Sequence, residues 1–389
     1  MIFYLAVITA GLLLSLLLFR RFPIPGTAGG ETRPEAHPKA GIKTRPEAYP
    51  QTGEEIRPIR VSVIIPARNE ERNLPLLLSD LKSQNLQAYE VICADDGSED
   101  GTARIAASFG ALLLSLPVKP ENWIGKSWAC QNGADNAGGD AFLFLDADVR
   151  LGPDGLHRLI RTYQQSGSVI SVLPYHKTEK KYEQLSLFFN LVQSAANGLG
   201  LPFARRHIGL YGPVILISRQ DYYAAGGHAS IKNSIIDDVA LGKKLKEAGI
   251  PFRLFLGDKD ISFRMYRGGV QDLLNGWTKN QAAGAMNTPA VTFLMVFLWV
   301  TSCTSAPIQI IRSVIQGSYV WAGVFLSLYF LWVLELKRIS SRTGSFTDPW
   351  ILFYPVPLLV FLGVFFRSLF KKIFHRKVVW KDREIRLGK

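Results

Sequence analysis

Between Val61 and about residue 260 the chain repeats one pattern: a short, apolar, β-branched run followed by a stretch of helical length with one apolar face. The runs are VSVIIP, EVICADD, AFLFLD and SVISVLP. Strands alternating with helices in this way fold as an α/β domain with a mainly parallel sheet. Such a sheet binds ligands beyond the carboxyl ends of its strands. Polar and acidic residues stand at those places: Arg68, Asn69 and Glu70 after the first run, Asp95 and Asp96 after the second, Asp146 and Asp148 after the third.

The flanks have a different character. Residues 1–19 carry no charge and would make a helix about 28 Å long, enough to cross a bilayer. Arg20 and Arg21 follow the apolar run instead of preceding it, so residues 1–21 are expected to be a retained anchor whose carboxyl side is cytoplasmic. Residues 22–60 form a Pro/Gly-rich linker in which TRPEAHPKAGIK is repeated as TRPEAYPQTGEE. The catalytic domain is expected at 61–289, and residues 290–370 are read as membrane-embedded helices in blocks at 290–311, 314–336 and 350–366. Residues 371–389 are a basic tail expected in the cytoplasm. Three full crossings would put that tail on the wrong side, so one block is expected not to cross. The last, with Pro355 and Pro357, is the candidate. The net charge of +13 is concentrated near these segments, which suits anionic lipid and not nucleic acid. Cys93, Cys130 and Cys303 are too far apart for a CxxC motif and give no zinc or disulfide pattern.

Several residues can carry chemistry, and each also has a plainer reading. Asp96, in DDGSEDGT, can accept from a base or ribose, although such acidic turns also cap helices. Asp146 and Asp148 alternate after an apolar run, so strand periodicity would set both on one face to bind a divalent cation together with a nucleotide diphosphate. Lys126 follows Gly125 on a loop feeding a helix and suits phosphate or uracil; otherwise it is a surface lysine. Asp237 and Asp238 open the helical stretch DDVALGKKLKEAG, as N-terminal charges or as a base. Gly227 and His228 lie in a small-residue loop. Arg264, Trp277 and Lys279 could clamp a diphosphate and offer a sugar platform, or sit at a membrane interface.

Taken in order, VSVIIPARNE, DDGSEDGT, GKSWACQNG, LDADV, GGH, DDVALG, FRMYRGG and GWTKN resemble the family 2 glycosyltransferases. The resemblance implies a GT-A fold, Rossmann-like with a mainly parallel sheet, flanked by N- and C-terminal transmembrane helices. It also implies inverting transfer from a UDP-sugar with Mg2+ or Mn2+. It puts Pro66 and Glu70 at the nucleotide, Asp96 at uracil, Lys126 at uracil or diphosphate, Asp146 at ribose or metal, and Asp148 on the metal. Asp238 matches the second position of the family's Glu-Asp pair, the base, and Asp237 replaces the first, so either can act. Gly227, His228, Arg264, Trp277 and Lys279 fall to the acceptor and diphosphate. No complete Q/RxxRW motif is present, which argues against a processive polysaccharide synthase.

The words IGKSWACQNG, GPVILISRQDYYAAGGH, FRMYRGGVQDLLNGWTKN and VVWKDREI are similar to the branch that glucosylates a C30 carotenoid acid in staphyloxanthin-type synthesis. That implies a lipophilic acceptor, membrane lipids and other carotenoid-pathway membrane enzymes as partners. Two other readings stay open: transfer to another lipid, such as a polyprenyl phosphate or hydroxylated lipid, and a nucleotidyltransferase, which also uses paired aspartates. The run LSLFFNLVQSAANGLGLPF (185–203) reads equally as a membrane-side access path or a buried core helix.

Overall fold

The computed structural model describes residues 1–26, 59–201, 207–234, 236–374, 377–380 and 383–386. The repeats of the linker lie outside the described residues, as do residues 375–376, 381–382 and 387–389 of the basic tail. The chain forms two units. One comprises Pro23–Tyr175 and Gly209–Phe263, the other Met1–Phe22, His176–Ile208 and Arg264–Lys389. The stretch expected as one catalytic block, 61–289, is therefore shared between them.

The first unit contains the sheet. Its strands include β1 (Val61–Ala67), β2 (Glu90–Asp95), β3 (Leu112–Ser115), β4 (Ala141–Leu145), β5 (Val149–Leu151) and β6 (Val169–Leu173). Then come β7 (Tyr175–His176, whose second residue opens the other unit's segment), β8 (Val214–Ser218), β9 (Phe252–Leu256) and β10 (Ile261–Phe263). Seven of these make one sheet in the order β3-β2-β1-β4-β8-β6-β9. Neighbours are parallel except around β8, which runs antiparallel to both β4 and β6. A strand buried on both faces needs an unbroken apolar run, and AFLFL of β4 is buried throughout. Helix Leu74–Lys82 buries Leu74, Leu77, Leu78 and Leu81, one stripe at helical spacing. Helix Gly125–Asp135 lies close on β1, because a Cβ at Gly133 would stand 2.4 Å from Ile64. Separately, β5 pairs antiparallel with β10.

The second unit is helical, around Trp299, Trp332, Phe188, Phe325 and Tyr354. Helices Ala290–Ile315 and Tyr319–Thr343 are long and apolar enough to cross a membrane; Ile2–Leu18 is shorter. Their outward faces carry residues such as Phe297, Ile311 and Leu334, as lipid contact requires. Helix Leu187–Ala196 buries Leu187, Phe188, Phe189, Leu191 and Ala195 in this core, so this part of the 185–203 run is a core helix.

Candidate active site

β1, β2 and β4 run parallel, so their carboxyl ends share one edge, and antiparallel β8 brings its amino end there too. Asp96 follows β2. Its N–H donates to the Ala67 carbonyl at 2.9 Å, Arg68 Nη1 donates to its own carbonyl at 2.6 Å, and its side chain is buried. Pro66 stands in β1 opposite Ala94. Glu70, just beyond β1, accepts from Asn73 Nδ2 at 2.9 Å. In the acidic turn, Asp95 Oδ1 accepts the Ser98 N–H at 3.0 Å, and Gly97 takes the left-handed φ of 67° that the turn needs.

β4 ends at Leu145, before the aspartates. The Asp146 N–H donates to Pro213 at 3.0 Å, and the Val149 N–H returns to the Asp146 carbonyl at 3.1 Å. Asp146 and Asp148 therefore belong to a tight turn, and strand periodicity does not govern where they point. The turn is pinned from behind. Asp80 accepts Arg150 Nε at 2.5 Å, Arg150 Nη2 at 2.8 Å and the Leu151 N–H at 3.1 Å.

Lys126 lies in the first turn of helix Gly125–Asp135, not in a loop. The helix dipole disfavours a cation at that end. Two carboxylates offset this: Asp146 Oδ1 at 2.7 Å and Asp237 Oδ2 at 3.6 Å. Burial opposes the ammonium charge, yet Asp146 and Asp237 hold it well above its ordinary value. Burial, partly offset by Lys126, pushes the Asp146 carboxyl up. Asp238 is pushed up to about 6, first by burial and then by the neighbouring charge of Asp237. This happens although its Oδ2 accepts the Gly212 N–H at 3.0 Å and its Oδ1 the Val239 N–H at 2.8 Å. Gly212 keeps this approach open, because a Cβ there would stand 3.2 Å from Asp238 and 3.4 Å from Lys126 Nζ. Lys126 thus stands among aspartates, paired directly with Asp146 and Asp237.

The comparisons with known proteins bear on family and fold. Residues 62–220 match the model of glycosyl transferase family 2. The chain is 32% identical over 335 residues to the 4,4'-diaponeurosporenoate glycosyltransferase of Staphylococcus aureus strain USA300, which covers 85% of this chain and 89% of that protein. It belongs to glycosyl transferase family 2. The mannosyltransferase PcManGT from Pyrobaculum calidifontis, solved in complex with GDP-Man and Mn2+, shares the fold, with a TM-score of 0.53. That match covers 95% of this chain and 96% of the other at 15% identity.

For a family 2 glycosyltransferase the remaining sequence candidates divide sharply. His228 is buried, and burial lowers its ring to about 4. Its Nδ1 lies 2.9 Å from the Tyr222 hydroxyl, which donates to Gln131 at 3.1 Å. Gly227 has φ 55°, and a Cβ there would meet Gln131 and Tyr222 at 2.8 Å. Gln131 and Tyr222 had no signal in the sequence beyond proximity to the Gly125 and Gly227 motifs. In the helical unit, Arg264 is engaged by Glu183 at 2.8 Å and by Glu179. Trp277 corrects the expectation of a sugar platform. Its indole is 4% exposed and stacked on Phe189 at 4.7 Å, and its Nε1 donates to Ser186 at 3.2 Å, so both face and edge are taken. The side chain of Lys279 lies outside the described residues.

Proposed function

We propose that this enzyme is an inverting glycosyltransferase that moves glucose from UDP-glucose onto the carboxylate of a C30 carotenoid acid, forming a glycosyl ester. The observation that carries this reading is Asp238, a carboxyl raised to about 6 and held beside the Lys126–Asp146–Asp237 cluster at the binding edge of the sheet. The acceptor rests on the relative from Staphylococcus aureus and on the apolar helices. In the cell, the enzyme is a multi-pass membrane protein with its catalytic unit facing the cytoplasm.

Among the described residues no three His, Cys, Asp or Glu side chains form a metal cage. Mg2+ or Mn2+ needs none here, since such ions take one or two carboxylates and complete their shell with substrate phosphates and water. A carboxylate in the turn after β4 fits that chemistry, with Asp148 and the donor diphosphate as the holders. When bound, the ion neutralises charge that develops on the departing diphosphate. Lys126 is kept protonated beside Asp146 and supplies a further positive charge at the same edge.

An acceptor carboxylate oxygen forms the new bond to the anomeric carbon as the bond to the diphosphate breaks, and UDP leaves. A carboxylic acid of ordinary pKa, about 4, is already ionised at neutral pH, so no proton need be removed. Asp238 has another use. A carboxyl near 6 takes up a proton readily when a second carboxylate approaches, and then donates a hydrogen bond where an ionised aspartate would repel. Nucleotidyl transfer, which shares the paired aspartates, would release pyrophosphate instead of UDP.

The test is mass spectrometry of lipids from membranes holding the enzyme, fed the carotenoid acid and a panel of UDP- and GDP-sugars. A hexosyl ester formed from UDP-glucose is expected. Transfer only from GDP-sugars, or only onto polyprenyl phosphate, would overturn the reading.

A further inference from the structure

The apolar block 350–366 leaves and returns to one short stretch of the helical unit. On the way in, the Ser345 N–H donates to the His176 carbonyl at 2.9 Å, the Thr178 N–H donates to Ser345 Oγ at 2.7 Å, and the Thr347 N–H donates to Gln184 Oε1 at 2.9 Å. On the way out, Ser368 Oγ donates to the Thr278 carbonyl at 2.6 Å, and the adjacent Trp277 donates to Ser186 at 3.2 Å. Both ends are therefore moored at His176–Ser186, directly or through the adjacent pair Trp277 and Thr278.

Between these moorings the chain goes part of the way along a helical hairpin and no farther. Helices Ala290–Ile315 and Tyr319–Thr343 pack antiparallel, Trp299 against Trp332 at 5.9 Å, and are joined through residues 316–318. The Tyr354 hydroxyl donates to the Cys303 carbonyl at 3.0 Å, and its ring stacks on Tyr329 at 4.9 Å. At about 1.5 Å per residue, Cys303 lies about 18 Å short of the hairpin tip and Tyr329 about 15 Å short. The two helices, used as independent rulers, agree.

Pro307 accounts for the docking point. Proline has no N–H to give to the carbonyl four residues earlier, which is that of Cys303. Tyr354 supplies the missing donor. The turn also meets the requirement that backbone inside a membrane be satisfied internally. The Phe353 N–H donates to Pro349 at 3.0 Å, Tyr354 to Ile351 at 3.2 Å, Val356 to Phe353 at 3.0 Å and Leu358 to Tyr354 at 3.0 Å. Pro355 and Pro357 fall in the first turn of helix Pro355–Phe374, where no intrahelical N–H is needed. The helix buries Leu358, Phe361 and Val364 and turns Leu359 and Phe366 outward, 65% and 62% exposed.

We infer that Asp348–Phe374 is a re-entrant membrane element. It enters the bilayer from the His176–Ser186 side, turns at Phe353–Tyr354 within one leaflet, and leaves on the side it came from. Acyl chains of that leaflet cover its outward face, continuous with the apolar outer faces of the hairpin. The hairpin then supplies two crossings and the re-entrant element none, so the basic chain after Phe374 emerges on the side of Thr288 and Gly344. That resolves the topological count, as lysine-rich segments prefer the cytoplasmic face.

This inference rests on the hairpin crossing the membrane and is independent of donor and acceptor. It is tested in the full-length protein with single added cysteines, Gln316→Cys at the tip and Lys389→Cys in the tail, against wild type, whose three cysteines are buried. A membrane-impermeant maleimide is applied to intact and to permeabilised cells. The two positions are expected to label from opposite sides; labelling from the same side overturns the proposal. A nitroxide at Phe353→Cys is expected to be relaxed more by oxygen than by a water-soluble nickel complex. The reverse preference would place the turn in water and also overturn it. Neither readout depends on transferase activity.

Discussion

Two carboxylates, buried Glu183 and half-buried Asp238, one in each unit, sit in opposite electrostatic situations. Glu183 is 1% exposed and receives Arg264 through Nε and Nη2, with the backbone N–H groups of Glu179 and Lys180 on Oε2. Burial opposes its charge, but Arg264 and those donors hold it below its ordinary value. Asp238 also accepts two backbone N–H groups, yet burial and the charge of Asp237 outweigh the help of Lys126 and it is pushed up to about 6. A structural site satisfies its charge from within. A site built for a ligand leaves charge unmet until the ligand arrives.

The largest effect should separate the two kinds of acidic residue within the sheet edge itself. Asp148→Asn removes the expected cation holder and should lower kcat/KM by about 10³-fold, in the range of lost electrostatic stabilisation. Asp238→Asn keeps a hydrogen-bond donor toward a carboxylate acceptor and should lower it only about 10-fold. Equal collapse of both, assayed with UDP-glucose and the carotenoid acid, would mean that Asp238 works as an obligatory base. The pH profile makes the same distinction by sign. If protonated Asp238 receives an ionised acceptor, kcat/KM falls as pH rises above about 6; an obligatory base gives the opposite slope. Asp238→Asn should abolish either limb.

Stability should divide Glu183 and Asp238 next. Glu183→Gln breaks a buried pair and should cost about 3–5 kcal/mol at pH 7. Because its native carboxyl is depressed, that stabilisation is present above pH 4.5 and lost as pH falls through the native value. The variant and wild type should therefore converge in acid. Asp238 carries the reverse sign. Its native carboxyl is raised from 3.8 to about 6, so its contribution is full below pH 3.8 and lost as pH passes 6. The shift sets a ceiling of about 3 kcal/mol, and partial solvent access reduces this to about 1–2 kcal/mol. Asp238→Asn should gain that much at pH 7.5 and nothing in strong acid, as measured by thermal unfolding in detergent. A loss at pH 7.5 would place Asp238 with Glu183 among structural carboxylates.

Sequence patterning reached the sheet edge because it depends on local rules: VSVIIP, EVICAD and AFLFL are short apolar runs, and the polar residues beyond them have one edge to occupy. It did not reach β8, whose apolar VILIS gives no hint of running antiparallel between β4 and β6. It also misplaced Asp146 and Asp148 on a strand face, since nothing in LDADV distinguishes a continuing strand from a turn closed by Val149. The lysine offered an unused clue. A cation in the first turn of a helix opposes the dipole, so Lys126 implied acidic partners from elsewhere in the chain. For Arg264 and Trp277 the motif was visible but the partners were not. Glu183, Phe189 and Ser186 are roughly 80–90 residues away in sequence and turn those residues into scaffold.

Asp80 gives the smallest and finest test of the comparison, because it is matched like Glu183 yet stands directly behind the Asp146–Val149 turn. Its carboxylate grips both arms of Arg150 and the Leu151 N–H, two and three residues past Asp148. Arg150 is held above its ordinary value chiefly by this hydrogen bonding. Asp80→Asn retains the shape but cannot accept the full fork, so β5 and the Asp146–Val149 turn lose their tether while the sheet keeps its core. The expected result is a cation affinity about 10-fold weaker in a Mn2+ titration followed by electron paramagnetic resonance, as is usual when support behind a metal ligand is removed. Wild-type Mn2+ binding would show that Asp80 serves the fold alone, like Glu183. A pronounced weakening with little loss of thermal stability would show that a fully satisfied carboxylate can still set the geometry of one left open for substrate.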